Sequence, residues 1–195
     1  RHERRAYNYR GFVHCDCLWN LEYRMSTLEL KELSHPSGEV IKIAAGKTLD
    51  LKSQGTTTLP TGSVLQVVSA IDSTQTVSTS GTYADTGLTA TITPSSTTSK
   101  ILISLNTASC MSTANASGIS LKLTRGSQQL IEFEKYMGYN SANISVSSSV
   151  CFLDSPNTTS ATIYKLMFKR TSGSATVYVG DNHSEGTITL TEIQG

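Results

Sequence analysis

The sequence predicts an all-β protein built as an antiparallel sandwich. Ser and Thr make up about 55 of the 195 residues, while charged residues fall to 16%, against roughly 25% in ordinary soluble domains. Beyond Ser63 apolar and polar residues alternate almost continuously, which is the period of a half-buried strand, and no stretch shows the 3.6-residue period of a helix. Turn formers punctuate this pattern about every ten residues, the spacing expected of short paired strands. Composition agrees with period, because Thr is β-branched and packs well on a pleated sheet, whereas Ser competes for backbone hydrogen bonds inside a helix.

About nine strands follow from that alternation. Ile101, Ile103 and Leu105 share one face, as do Ile119, Leu121 and Leu123. Ile144, Val146, Val150 and Phe152 share another with Ser148. Residues 64–71, 87–93, 128–134, 161–170, 174–180 and 186–193 complete the set, with turns at Pro94, Gly126, Asp154 to Asn157, Ser172-Gly173 and Asp181-Asn182. In the strand 162–170, Tyr164, Leu166 and Phe168 are expected to point inward, and Lys165 and Lys169 to reach solvent over their apolar stems. Met167 lies between those lysines with no reason to face water, which suggests a sheet abutting another subunit; an isolated exposed Met is the plainer alternative.

Three segments precede or form this body. Residues 1–24 are basic and aromatic and nearly free of Ser and Thr, which reads as an anchoring arm or an extension upstream of Met25. As an arm, the residues expected to attach it to a partner are Arg4, Arg5, Tyr7, Tyr9, Arg10 and Trp19. Residues 25–62 hold short apolar pairs between turn formers and end in the polar run SQGTTTLPTG, a short β-rich stem and linker too small to bury its own apolar edges, or equally two ordinary hairpin strands. Residues 63–195 form the sandwich domain.

Several functional classes find no support in these residues. The net charge of +1 provides no field to recruit nucleic acid or an anionic membrane, and no apolar run approaches the ~20 residues of a membrane helix. The N-terminus lacks the charged-then-apolar layout of a signal peptide, so the expectation is a soluble chain made inside a cell. No nucleophile elbow, zinc-protease motif or phosphate-binding loop occurs, and the carboxylates sit singly, so no enzyme and no cofactor are expected. His14-Cys15-Asp16-Cys17 is the one ligand-like cluster, but its Cys-x-Cys spacing is tighter than zinc sites use and no second ligand pair follows, so no metal is expected. Cys110 and Cys151, both among strand residues, read as buried small apolar groups.

Two loops are the candidates for recognition. The first, Glu134 to Asn140, concentrates Tyr136, Tyr139 and Asn140, side chains that stack on sugars and adapt to surfaces; the plainer reading, and the favoured one, is a strand end with one Tyr in the core. The second, Asp181 to Glu185, contributes Asn182 and His183.

Several phrases of the chain carry a resemblance: Leu59-Pro60-Thr61-Gly62-Ser63-Val64-Leu65-Gln66-Val67-Val68, then Gly87-Leu88-Thr89 through Ile92-Thr93-Pro94 and Ser95 to Ile103, Phe152-Leu153-Asp154-Ser155-Pro156, and Gly186 to Ile193. From Met25 to Gly195 the chain resembles virion structural and tail-fibre-like proteins of marine tailed phages, cyanophages among them. That resemblance implies a jelly-roll-like β-sandwich of the tumour-necrosis-factor-like kind, assembled as a homotrimer on a thin N-terminal stem. It implies a protein of the virion, assembled in the host cytoplasm, that contacts other tail or capsid proteins through residues 1–24 and recognises a host-surface glycan. A capsid decoration or head-fibre protein of the same fold is the alternative. Charge poverty points independently to self-association: outer faces lined by Ser, Thr and Ala neither repel identical copies nor carry large desolvation costs, and a three-fold axis would bury one of them.

Overall fold

A computed structural model describes residues 45–47, 59–139 and 142–195, and these hold eleven strands and no helix. Apart from 45–47 they lie in one compact unit, Gly55–Gly195. The strands are β1 (Val64–Asp72), β2 (Thr76–Ser78), β3 (Ala84–Ile92), β4 (Lys100–Asn106), β5 (Cys110–Ser112), β6 (Ile119–Arg125), β7 (Gln128–Met137), β8 (Ser149–Asp154), β9 (Thr162–Arg170), β10 (Val177–Val179) and β11 (Gly186–Ile193).

Two four-stranded antiparallel sheets form the sandwich, one ordered β1-β11-β4-β8 and the other β3-β9-β6-β7. Leaving aside the three-residue strands, the eight long strands pair first with last, second with seventh, third with sixth and fourth with fifth, as β1·β11, β3·β9, β4·β8 and β6·β7. One long antiparallel hairpin rolled upon itself produces that order, so the fold is a jelly roll. The short strands β2-β10-β5 make a third, small sheet.

The core lies between the two inner faces. Ile101, Ile103, Leu105, Ile188 and Leu190 come from the first sheet, and Ile119, Leu121, Leu123, Tyr164, Leu166 and Phe168 from the second; all are buried. Tyr164, Leu166 and Phe168 occupy the inner face as the alternation predicts, each fully enclosed.

The two ends of the sandwich differ. Segments 73–83, 107–118, 138–148 and 171–185 cross between the sheets at one end, here the distal end, where Asp72 lies opposite Gly186 and Asn106 opposite Thr187 and Ser149. The small sheet β2-β10-β5 is woven from these crossings. Gly180 marks how tightly they pack: its φ is +82°, and a Cβ there would collide with the carbonyl of Thr74. At the other, proximal end lie the connections 93–99, 126–127 and 155–161 and both ends of the domain. There the Gly62 N–H donates to the Gln194 carbonyl at 2.8 Å, and the Gln194 N–H donates to Ser63 at 2.8 Å.

Some expectations are corrected. The strand placed across Ile144, Val146, Ser148, Val150 and Phe152 begins only at Ser149. Ile144 is exposed, and Val146 forms a lone bridge to Cys110. Gly138 and Asn143 take left-handed φ values of 72° and 60°, which a continuous strand does not accommodate. β7 runs to Met137 rather than stopping near Glu134, which puts Tyr136 on the strand and buries Met137. Strands β2 and β5 have no counterpart in the prediction, because three residues carry no period and β10 alone holds them in place. Cys110 is buried, and burial pushes its thiol up to about 11. Cys151 is exposed instead of buried, since β8 is the edge of its sheet and Cys151 falls on the outer side, level with Ser104.

The outer faces of the two sheets also differ. The sheet carrying Met167 is the charged one. Lys165 Nζ pairs with Asp85 Oδ2 at 2.7 Å, and Lys122 and Lys169 cover the Tyr83 ring at 4.1 and 4.5 Å. Met167 is half-buried there, in register with Asp85 and Lys122. The other sheet shows three successive rows outward: Val67, Thr191, Leu102 and Leu153; Ser69, Thr189, Ser104 and Cys151; Ile71, Thr187, Asn106 and Ser149. None of those twelve side chains is charged.

Candidate functional site

Of the sequence-predicted loop residues, Tyr136, Tyr139, Asn182 and His183 lie at the distal end, but they do not form one site. Tyr136 and Tyr139 meet edge to face, ring centres 5.6 Å apart with planes at 86°. Tyr136 is 56% exposed and Tyr139 36%, so neither is tucked into the core. The Tyr139 N–H donates to the Tyr136 carbonyl at 3.1 Å and the Ala116 N–H to the Tyr139 carbonyl at 2.7 Å, which fixes the pair on the β7 end. Asn140 lies outside the described residues, as do Arg4, Arg5, Tyr7, Tyr9, Arg10, Trp19 and the His14 to Cys17 cluster.

Asn182 is a structural residue in this setting. Its φ is 62°, its side-chain oxygen accepts from the Gln75 N–H at 2.9 Å, and its own N–H donates to Ser73 at 3.0 Å. It thereby locks the 171–185 crossing to the β1–β2 connection. His183 is exposed, its Nδ1 2.7 Å from the Asp181 carbonyl. Asp181 organises this loop: its Oδ1 accepts from the His183 N–H, the Ser184 N–H and the Ser184 hydroxyl at 2.9, 2.6 and 2.8 Å. The backbone N–H groups of Ser184 and His183, with the Ser184 hydroxyl, hold its carboxyl below the usual value.

Beside this loop the distal end carries a cavity of about 340 Å³ that is widely open to the surface. The end of β4 and the residues after it supply Asn106, Thr107, Ala108 and Ser109; the 138–148 crossing supplies Ser145, Val146 and Ser147; the 171–185 crossing supplies Asp181, Ser184 and Glu185. Neither Tyr lines it. Backbone bonds join its walls: the Cys110 N–H donates to Val146 and the Val146 N–H to Cys110 at 2.7 and 3.0 Å, and the Thr107 N–H donates to Ser148 at 2.8 Å. The hydroxyls of two of its lining residues, Ser109 and Ser145, lie 2.5 Å apart. Of these residues the sequence singled out only the 181–185 loop. Serines of a Ser-rich chain look alike before the fold assembles them. Among the described residues no group of three His, Cys, Asp or Glu is placed to hold a metal ion.

The proximal end carries two buried carboxylates, both within the phrases that bear the phage-protein resemblance. Glu192 is fully buried; its Oε1 accepts from the N–H and hydroxyl of Ser95, both at 2.7 Å, and its Oε2 from Gln66 Nε2 at 2.6 Å. Gln66 Nε2 also donates to the Thr93 carbonyl at 2.7 Å, which ties β1, β11 and the β3–β4 connection together. Asp154 accepts from Arg125 Nη1 at 3.0 and 2.8 Å and from the Tyr164 hydroxyl at 2.7 Å. Burial, reinforced by the Asp154 charge, pushes the Tyr164 phenol well above its ordinary value.

Burial works against ionising Glu192, but the polar groups of Ser99, Gln66 and Ser95 outweigh it and hold the carboxyl below its ordinary 4.5. A depressed folded-state value contributes stability that is complete above the unfolded value and is lost as pH falls through the folded one. Glu192→Gln is therefore expected to cost about 2 kcal/mol near neutral pH, the worth of hydrogen bonds to a charged group. It should also flatten the loss of stability below pH 4.5. Urea titrations at fixed protein concentration from pH 3 to 7 read both effects; an unchanged acid slope would show that Glu192 does not drive it.

No protein-family model and no curated protein matches this chain. Among solved structures it is similar to the infectious bursal disease virus VP2 subviral particle, at 13% identity over 76% of this chain and 37% of that one, with a TM-score of 0.46. It is similar also to T=1 particles derived from infectious bursal virus (10% identity, 76% and 41% covered, TM-score 0.40). The Gt strain of infectious bursal disease virus gives 12% identity, 76% and 42% covered, and a TM-score of 0.41. The chain thus spans less than half the length of each of these proteins.

Proposed function

We propose that this chain is a structural subunit of a tailed-phage particle: a trimeric fibre or fibre-like protein, attached through residues 1–24, that presents the distal end of its jelly roll to a glycan on the host surface. Its work is assembly and binding, not catalysis. The observation that carries this reading is the polarity of the domain. The chain comes into the sandwich at Leu59–Ser63, pinned to Gln194 at the proximal end, whereas the four long crossings with their tyrosines and polar cavity gather at the opposite end. Between the two ends runs a face of twelve uncharged side chains, along which identical copies can pack without repulsion. The resemblance of the chain to marine phage virion proteins supports the same assignment, and its phrases largely converge on the proximal, stem-side end. The buried carboxylates Glu192 and Asp154 serve to close that end and are unavailable for chemistry.

Deleting residues 1–24 tests the attachment. The shortened chain is expected to purify as a soluble trimer, near three times the mass of its protomer, and to be missing from particles assembled in its presence. Incorporation without the arm would refute the attachment, and a concentration-independent monomer of the full 21.0 kDa chain would refute the trimer.

A further inference from the structure

We infer that the distal cavity is a saccharide site that takes one neutral, hydroxyl-rich sugar unit, held by Asp181, Glu185, Ser147 and Ser184 against the small apolar surface of Ala108 and Val146. The inference rests on the reading above and deepens it, moving the binding site from the exposed tyrosines to the cavity between the crossings.

Size and chemistry both point this way. About 340 Å³ is at the small end of the ~300–1,000 Å³ of ligand pockets, room for a single ring rather than a peptide. The lining offers hydroxyls that donate or accept, with carboxylates that only accept, which matches a ligand whose surface is mostly O–H donors. Among the described residues no Lys, Arg or His lines the cavity, so a sialylated or sulfated sugar meets no counter-charge from them and faces two carboxylates. The carbon-bound face of a sugar ring needs an apolar contact, and Ala108 and Val146 are the apolar residues there.

The walls are set before any ligand arrives. The Cys110·Val146 bridge, the Ser109–Ser145 hydroxyl contact and the three bonds to Asp181 Oδ1 fix all three crossings, so little ordering is left for binding to cost. Those bonds occupy Oδ1 of Asp181, and its other oxygen accepts none from the described residues. Three copies in a trimer would multiply a weak single-site affinity by avidity.

The test uses the full chain on immobilised neutral oligosaccharides of hexose and N-acetylhexosamine units, with sialylated and sulfated oligosaccharides as the anionic arm. Binding is expected on the neutral arm. Glu185→Gln should weaken it about tenfold, the loss of one hydrogen bond to a charged group, and Ser147→Phe, which fills the cavity, should abolish it. Both positions are exposed, so mass and unfolding midpoint should not move. The double variant Tyr136→Ala, Tyr139→Ala should bind as the parent does. Failure to bind any neutral sugar, preference for the anionic arm, or loss confined to the tyrosine variant overturns the inference. A chain that binds neutral sugar and loses it only in the tyrosine variant defeats this inference alone; one that enters particles as a trimer yet binds no sugar also defeats the glycan recognition it rests on, and exclusion from particles defeats the structural reading beneath both.

Discussion

Replacing Thr189 with arginine is expected to turn the proposed trimer into a folded monomer near 21.0 kDa. Thr189 stands in the middle row of the uncharged face, between Ser69 on β1 and Ser104 on β4, and its hydroxyl meets that of Ser69 at 3.1 Å. Around it Val67, Ile71 and Leu153 are 58%, 61% and 49% exposed, an apolar surface worth about 1 kcal/mol per side chain once covered. A guanidinium at this position would have to leave water with no carboxylate on the facing rows. The effective desolvation cost is several kcal/mol per ion, repeated in each copy. The isolated domain should tolerate the change, because position 189 points away from the core and Ile188 and Leu190 keep the inner face. Light scattering over a range of concentrations reads the outcome. Thr91→Arg, on the exposed side of the charged sheet, is the control and should remain trimeric. A trimer that survives Thr189→Arg but not Thr91→Arg would move the interface to the other sheet.

Asp154→Ala is expected to cost about 3 kcal/mol, the low end of what removing one member of a buried ion pair costs. Asp154 is 7% exposed and holds two partners at once, Arg125 and the fully buried Tyr164. Removing it strands a guanidinium that retains, among the described residues, Gln128 Oε1 and the Ser155 carbonyl, and leaves a phenol inside the core without its acceptor. Tyr164→Phe removes the other side of the same contact and should cost only about 1 kcal/mol, because no charge is left unpaired. Denaturant unfolding of the two variants and of the pair together measures the coupling. Equal losses for both would show that the charge of Asp154 is not what matters.

Much of this architecture is legible in the residues. Tyr164, Leu166 and Phe168 alternate with Ile163, Lys165, Met167 and Lys169 so regularly that period two leaves one choice of inner face, and burial of the first three follows. The same holds for Ile101, Ile103 and Leu105 and for Ile119, Leu121 and Leu123. The turn formers also act locally: Gly126, Asn157, Gly173 and Asn182 all adopt the left-handed φ that their side chains, or lack of one, permit. For these features the cause is local, so the sequence by itself determined an all-β chain, most of its strands and their inner faces.

What the sequence could not determine has non-local causes. β2 and β5 exist because β10 lies between them, and three residues alone have no preference strong enough to show. Cys151 is exposed because β8 is an edge strand, and edge position is a property of the sheet, not of the segment. Ile144 looks like a strand residue until Asn143 turns the chain before it. Charge poverty was visible as composition, but only strand order aligned twelve uncharged side chains in three rows on one sheet and set Asp85, Lys122, Lys165 and Lys169 on the other. The cavity is the clearest case: Asn106, Ser145 to Ser147 and Glu185 come from three crossings far apart in the chain and meet only because the rolled hairpin brings the ends of β4, β8 and β11 together. Side-chain pattern determines which face of a strand is buried. Which strands become neighbours, and so which loops share a site, is decided by closing the whole roll.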